Sequence, residues 1–164
     1  GFKVRLDCPN DRYINDEEIA QALAGQLANI GIEIELNCVP KASFFPRMTQ
    51  GDYTMYMAGW GGSNISSTLN ALIHSKDDER GLGRFNRYRY SNPEVDALIE
   101  KADVTFDDEE RLHLYQEAAR IALVEDVVWV PLHHEVIIFG VRKGLKIEPR
   151  FDELIYAFDM EWTE

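Results

Sequence analysis

The feature that most constrains this chain is a change of hydrophobic period ahead of Pro40. Phe2, Val4, Leu6 and Cys8 alternate with Lys3, Arg5 and Asp7, a period of two that reads as a strand with one better-buried face. Ile19, Leu23, Leu27 and Ile30 then recur at helical spacing. Asn15 stands in N-cap position with Glu18 three residues on, and Gly31 supplies a C-terminal stop. Ile32, Ile34 and Leu36 alternate with Glu33, Glu35 and Asn37, giving a second strand. Two strands joined by a helix of this length are expected to be parallel, in a right-handed βαβ unit.

Pro40 closes the second strand, and a short amphipathic piece carrying Phe44, Phe45 and Met48 ends at Gln50-Gly51. Residues 53–58 read as a third strand. They run into Gly59-Trp60-Gly61-Gly62-Ser63-Asn64, the most glycine-dense stretch of the chain. A helical patch is expected around Leu69, Leu72 and Ile73, then a polar irregular stretch from Ser75 to Tyr90. Asn92-Pro93 opens a helix with Val95, Leu98, Ile99 and Ala102 as its apolar stripe. Asp107 and Glu110 open another that runs to about Val124. Val127 to Leu132 and Val136 to Val141 read as strands, the first interrupted by Pro131, and the tail from Phe151 to Trp162 carries no clear period. With no internal repeat or low-complexity linker, the 164 residues are expected to form a single α/β lobe, with a mixed sheet flanked by helices.

Charge and composition narrow the chemistry. A formal charge of −12 repels phosphate backbones, so no nucleic-acid partner is expected. Arg80, Arg84, Arg87 and Arg89 interleave with Phe85, Tyr88 and Tyr90. Such a patch can hold single strands, but the reading adopted is a solvated loop balanced by Asp77, Asp78 and Glu79. No apolar run approaches the roughly 20 residues of a membrane helix. Adjacent His133 and His134 on a strand would point to opposite faces, and His74 and His113 have no Cys or carboxylate at ligand spacing. Neither a metal site nor a cofactor is expected. No nucleophile elbow, phosphate loop or dinucleotide fingerprint is present, and no enzymatic activity is expected.

The best candidate site is the 59–64 loop, placed beyond the C-terminal end of a parallel strand, where open α/β sheets bind ligands. Trp60 offers a large stacking surface, Gly61 and Gly62 allow close backbone approach, and Ser63 and Asn64 add short polar groups. The competing reading is structural: Trp60 fills the core and the glycines make turns.

An ordered set of short pieces resembles one family. The pieces are Asp11-Arg12-Tyr13 with residues 19–23, Ile30-Gly31-Ile32, Gly51-Asp52-Tyr53, Ala58-Gly59-Trp60-Gly61, Asn86, residues 90–96 from Tyr90-Ser91-Asn92-Pro93 to Asp96, residues 111–115, and Pro131-Leu132. In order and spacing they resemble extracellular solute-binding proteins of family 5, the dipeptide, oligopeptide and nickel-binding group. The resemblance covers roughly residues 3 to 143 and implies a type II periplasmic-binding fold of two lobes with solute enclosed between them. This chain would be part of the C-terminal lobe, and its abrupt first strand suggests a piece of something longer. A peptide or other small-molecule solute and the permease subunits of an ABC importer would be the partners, in the periplasm or outside the cell. The face normally covered by the rest of the protein would be apolar and would self-associate in isolation.

Many peptide-binding members carry an aspartate three residues after the tryptophan, paired with the peptide's α-amino group; here Ser63 stands there. In an oxidising compartment Cys8 and Cys38, at equivalent ends of neighbouring strands, could be bonded or free. A ligand-sensing domain of a larger signalling protein is the alternative reading of the whole chain.

Overall fold

The computed structural model describes residues 1–62, 64–150, 152 and 154–163. The chain divides into two compact units, Gly1–Val130 and Pro131–Glu164.

The first unit opens with β1 (Phe2–Pro9), α1 (Asp16–Ala28) and β2 (Ile32–Val39), as the change of period predicts. β1 and β2 are parallel, in a register that places Phe2 opposite Ile32 and Cys8 opposite Cys38. After α2 (Lys41–Gln50), β3 pairs parallel to the other side of β1, so the sheet order is β2-β1-β3. The third strand is shorter than its pattern suggests: only Met55–Tyr56 join the ladder, extended by a Met57 N–H bond to the Asp7 carbonyl at 2.9 Å.

Alternation along β1 sorts its side chains. Leu6 and Cys8 pack with Ala20 of α1 and with Ile34, Leu36, Cys38 and Met57. Asp7 is also fully buried, which makes a charged group part of the interior. Ala20 is the buried apolar residue of α1, whereas Ile30, assigned to the apolar face, is exposed.

The start of α1 differs from the expected cap. Asn15 takes a left-handed conformation and its side chain caps nothing. The Asp16 carboxylate does the work instead, accepting the backbone N–H groups of Arg12, Tyr13 and Glu17 at 3.0 Å each. The helix therefore holds the loop that precedes it. The caps expected at Asn92 and Asp107 are present, with Asn92 accepting Glu94 N–H at 3.0 Å and Asp107 accepting Glu110 N–H at 2.8 Å.

A second core lies among α3 (Ile65–Leu72), α4 (Pro93–Asp103) and α5 (Asp108–Arg120). Leu69, Ile73, Val95, Ile99, Ala102, Tyr115 and Ala118 fill it, with Ile121 and Ala122 from a π-turn at Ile121–Glu125 that ends α5. The polar stretch 75–90 is irregular apart from an Asp77–Leu82 bridge.

Residues 127–132 and 136–141 do not form the expected strands. Val127 has φ +48°, a left-handed conformation that no strand contains and that a β-branched residue adopts only under constraint. Val128 and Trp129 pack against the helical core rather than joining a sheet. Val136 and Ile138 are exposed, with no ladder partner among the described residues. Among the described residues of the second unit, regular pairing is limited to β4 (Leu145–Ile147) against β5 (Met160–Trp162), an antiparallel ribbon within which Leu145 faces Trp162. Parallel and antiparallel pairing thus both occur, in separate sheets.

Candidate functional site

β1, β2 and β3 share one C-terminal edge because all three run parallel. Three loops leave it: 10–15 after β1, the turn through Pro40 after β2, and the segment beginning with 57–62 after β3. Covalent and polar ties hold them together. Cys8 and Cys38 are disulfide-bonded, with Cα atoms 4.5 Å apart. The Asp11 carboxylate accepts the Lys41 backbone N–H at 2.6 Å. Tyr13 donates its hydroxyl to the Gly59 carbonyl at 3.0 Å, and the Arg12 guanidinium lies 4.8 Å from the centre of the Tyr13 ring.

Trp60 follows directly. It belongs to neither hydrophobic core and remains 45% exposed, so it does not plug the interior. Its ring packs on Phe85 with centroids 5.0 Å apart, which fixes one side of a large apolar surface and leaves area open to a ligand. The glycines around it have separate reasons to be glycine. A Cβ on Gly59 would lie 2.8 Å from Tyr13 Cε1, and one on Gly62 would collide with Thr68 Oγ1. At Gly61 an added Cβ meets nothing within 4 Å, so the space over that backbone is open. Asn64 caps α3: its side-chain oxygen accepts Ser67 N–H at 2.7 Å, and its carbonyl accepts the hydroxyls of Ser67 and Thr68. Its carbonyl end is therefore committed to the helix. Ser63 lies outside the described residues.

Sequence reasoning missed Phe85 as the neighbour of Trp60, Tyr13 as the partner of Gly59, and Arg12 stacked on Tyr13. Arg12 and Tyr13 were within reach of the same rule that selected the 59–64 loop, since they sit on the loop leaving the adjacent strand. Phe85 comes from the irregular segment, and only tertiary packing brings it to Trp60.

The other polar residues considered are held elsewhere. His74 is buried, with Nδ1 2.8 Å from the Ser75 carbonyl and Nε2 3.2 Å from Glu100 Oε1. The Arg80 guanidinium, then His74, holds the Glu100 carboxyl below the usual range. Among the described residues no group of three or more His, Cys, Asp or Glu is placed to hold a metal ion.

Comparison with known proteins points in one direction. The sequence model of the bacterial extracellular solute-binding proteins, family 5 Middle, matches residues 1–79. Di/tripeptide-binding protein 2 of Pseudomonas aeruginosa is 30% identical over 150 residues, 87% of this chain and 28% of that protein. The periplasmic binding protein DppA from Helicobacter pylori, solved in complex with peptide STSA, aligns over 80% of this chain and 25% of its own, with TM-score 0.68 and 27% identity. The Escherichia coli murein tripeptide binding protein MppA shares the fold over 99% of this chain and 31% of its own, with TM-score 0.74 and 20% identity. The chain thus spans less than a third of the length of these relatives.

Proposed function

Because this chain belongs to the family 5 bacterial extracellular solute-binding proteins, we propose that it forms part of one lobe of a periplasmic or extracellular receptor for an ABC importer. In this reading it binds a small peptide-like solute without altering it. The solute is enclosed between this lobe and a second one, and the whole protein delivers it to the permease. The carrying observation is Trp60, a half-exposed tryptophan outside both cores at the C-terminal edge of parallel strands. Trp60 stacks or packs on the ligand, Gly61 leaves room for its backbone, and Gly62 keeps the loop close to α3. Asn64 orients the loop through its cap and offers its amide, and Ser63 adds a hydroxyl.

Arg12 extends the site beyond the residues legible in sequence. Its guanidinium rests on Tyr13 and has no carboxylate within 4.0 Å among the described residues. The loop itself carries no acidic residue, and a hydroxyl at Ser63 is a poor counter-ion for a desolvated ammonium. The solute therefore either lacks a free α-amino group near Trp60 or has it anchored by a carboxylate elsewhere in the whole protein.

Calorimetry of the full-length protein against di- and tripeptides tests the reading. Trp60→Ala should weaken the tightest peptide by about 30-fold or more, as expected for a buried aromatic anchor; a change below about threefold would remove Trp60 from the site. The 1–164 chain alone should bind no peptide below micromolar Kd, because half of an interlobe site cannot enclose its ligand. Submicromolar binding by that fragment would contradict enclosure.

A further inference from the structure

The arginines of the 84–89 segment are not balanced by the acids next to them in sequence. Asp77 Oδ1 accepts the backbone N–H groups of Glu79 and Arg80. Asp78 pairs with Lys76 at 3.1 Å, and Arg80 turns away to Glu100 at 2.6 Å. Arg84, Arg87 and Arg89 are left with no carboxylate within 4.0 Å among the described residues. Most other cations of this strongly acidic chain are paired, so unpaired ones gathered in one place are informative.

Two of them converge on the candidate site. The guanidinium carbons of Arg84 and Arg87 each lie 5.4 Å from the centre of the Phe85 ring, and that centre is 5.0 Å from the centre of Trp60. Arg87 is steadied from behind: its Nε is 3.5 Å from Thr49 Oγ1 and its guanidinium 5.7 Å from the Phe45 ring centre. Arg84 is exposed. Two guanidinium groups held at one ring without a carboxylate partner leave a positive spot beside Trp60, which an anion beside either of them neutralises. The guanidinium fork matches a carboxylate in geometry as well as charge.

We propose that Arg84 and Arg87, carried on Phe85 at the edge of Trp60, form an acidic-ligand subsite, so that the solute bound here bears a carboxylate in addition to any C-terminal one. This rests on the solute-binding reading above and narrows its ligand class. The aromatic surface takes the body of the ligand, and the two arginines take its charge.

The test uses the full-length protein and tripeptide pairs that differ only by Glu or Gln at each position in turn, with free di- and tricarboxylic acids as a second arm. Glu at one position should bind about tenfold tighter than Gln, the gap between a charge-assisted and a neutral hydrogen bond. The preference should shrink as ionic strength rises from about 0.01 M to about 0.15 M and the screening length falls from about 30 Å to about 8 Å. Arg84→Gln and Arg87→Gln should each erase most of the preference while changing the affinity for the Gln peptide by no more than about threefold. Arg120→Gln, at a residue paired with Glu117 and Glu125, should leave it intact. Binding by the free acids alone keeps the carboxylate subsite and assigns its source to a non-peptide acid. Equal binding of Glu and Gln peptides at every position, without binding of the free acids, overturns the subsite and leaves the solute-binding reading standing, as does a Glu preference that Arg84→Gln and Arg87→Gln leave intact. Binding by neither arm removes both.

Discussion

Replacing Cys8 and Cys38 together by alanine, or reducing the bond between them, should lower the thermal midpoint of this chain by about 10 °C or more. The bridge joins residues that face each other in the β1–β2 register and are 30 apart in sequence. Closing a loop of that length removes unfolded-state entropy equivalent to about 3.5–4 kcal/mol. For a domain of this size each kcal/mol moves the midpoint by about 3–4 °C. Cys8 is fully buried and packed with Leu6 and Ala20, so the alanine pair also forfeits some packing. Thermal unfolding followed by far-UV circular dichroism, with and without reductant, measures the effect. A shift below about 3 °C would mean that the unfolded chain is already constrained near this loop, and the bridge would then be stabilising little.

Asp7→Ala should cost about 3 kcal/mol, read as a shift in urea midpoint at constant slope. Asp7 points away from Leu6 and Cys8, and its carboxylate has no exposed surface. Arg5 Nε donates to it at 2.9 Å, Asn37 Nδ2 at 2.5 Å, and an Arg47 guanidinium nitrogen stands at 3.3 Å. Both arginines also hold Asp52, at 2.9 and 2.8 Å, and the Arg47 hydrogen bond, then that from Arg5, keeps the Asp52 carboxyl below its ordinary range. Removing Asp7 leaves the Asn37 amide and two guanidinium groups facing an emptied interior. Losing one partner of a buried pair costs about 3–5 kcal/mol, and the low end applies because both arginines still reach water and Asp52. Asp7→Leu, which fills the space, should cost less than Asp7→Ala. If Asp7→Ala costs under about 1 kcal/mol, the network around Asp52 suffices without it.

What could be read from the sequence was what local chemistry decides. The β1–α1–β2 unit follows from the switch between periods of two and 3.6. The caps at Asn92 and Asp107 follow from short side chains placed beside residues that belong in a first turn. Asn15 misled because Asp16 beside it offers two acceptor oxygens and takes over the role when Asn15 turns left-handed. Val127–Leu132 and Val136–Val141 misled because a β-branched apolar run has the composition of a buried strand whether or not a neighbouring strand exists. Glycine density exposed the Trp60 loop, and the parallel-strand rule placed it. The partners of that loop were hidden, since Tyr13 and Phe85 reach it from 46 and 25 residues away along the chain, a distance no local pattern spans.

β1 lies at the centre of its sheet, yet both of its neighbours come later in the chain. The eight-residue ladder with β2 needs only the short α1 crossover to close, whereas β3 waits for α2 and contributes two paired residues. Loop-closure entropy and ladder length therefore favour the β1–β2 pair as the cooperative nucleus, with the β3 side added afterwards. The same asymmetry governs fluctuations of the finished fold. The segment that presents Trp60 hangs from the weakest ladder of the sheet, so it can detach and re-dock at low free-energy cost while the β1–β2 scaffold stays intact. Among the hydrogen-bonded amides of the sheet, exchange should accordingly be fastest at Met57, whose bond to Asp7 ends that ladder, and slow along β1 and β2, so that the Trp60 segment moves on a frame that does not.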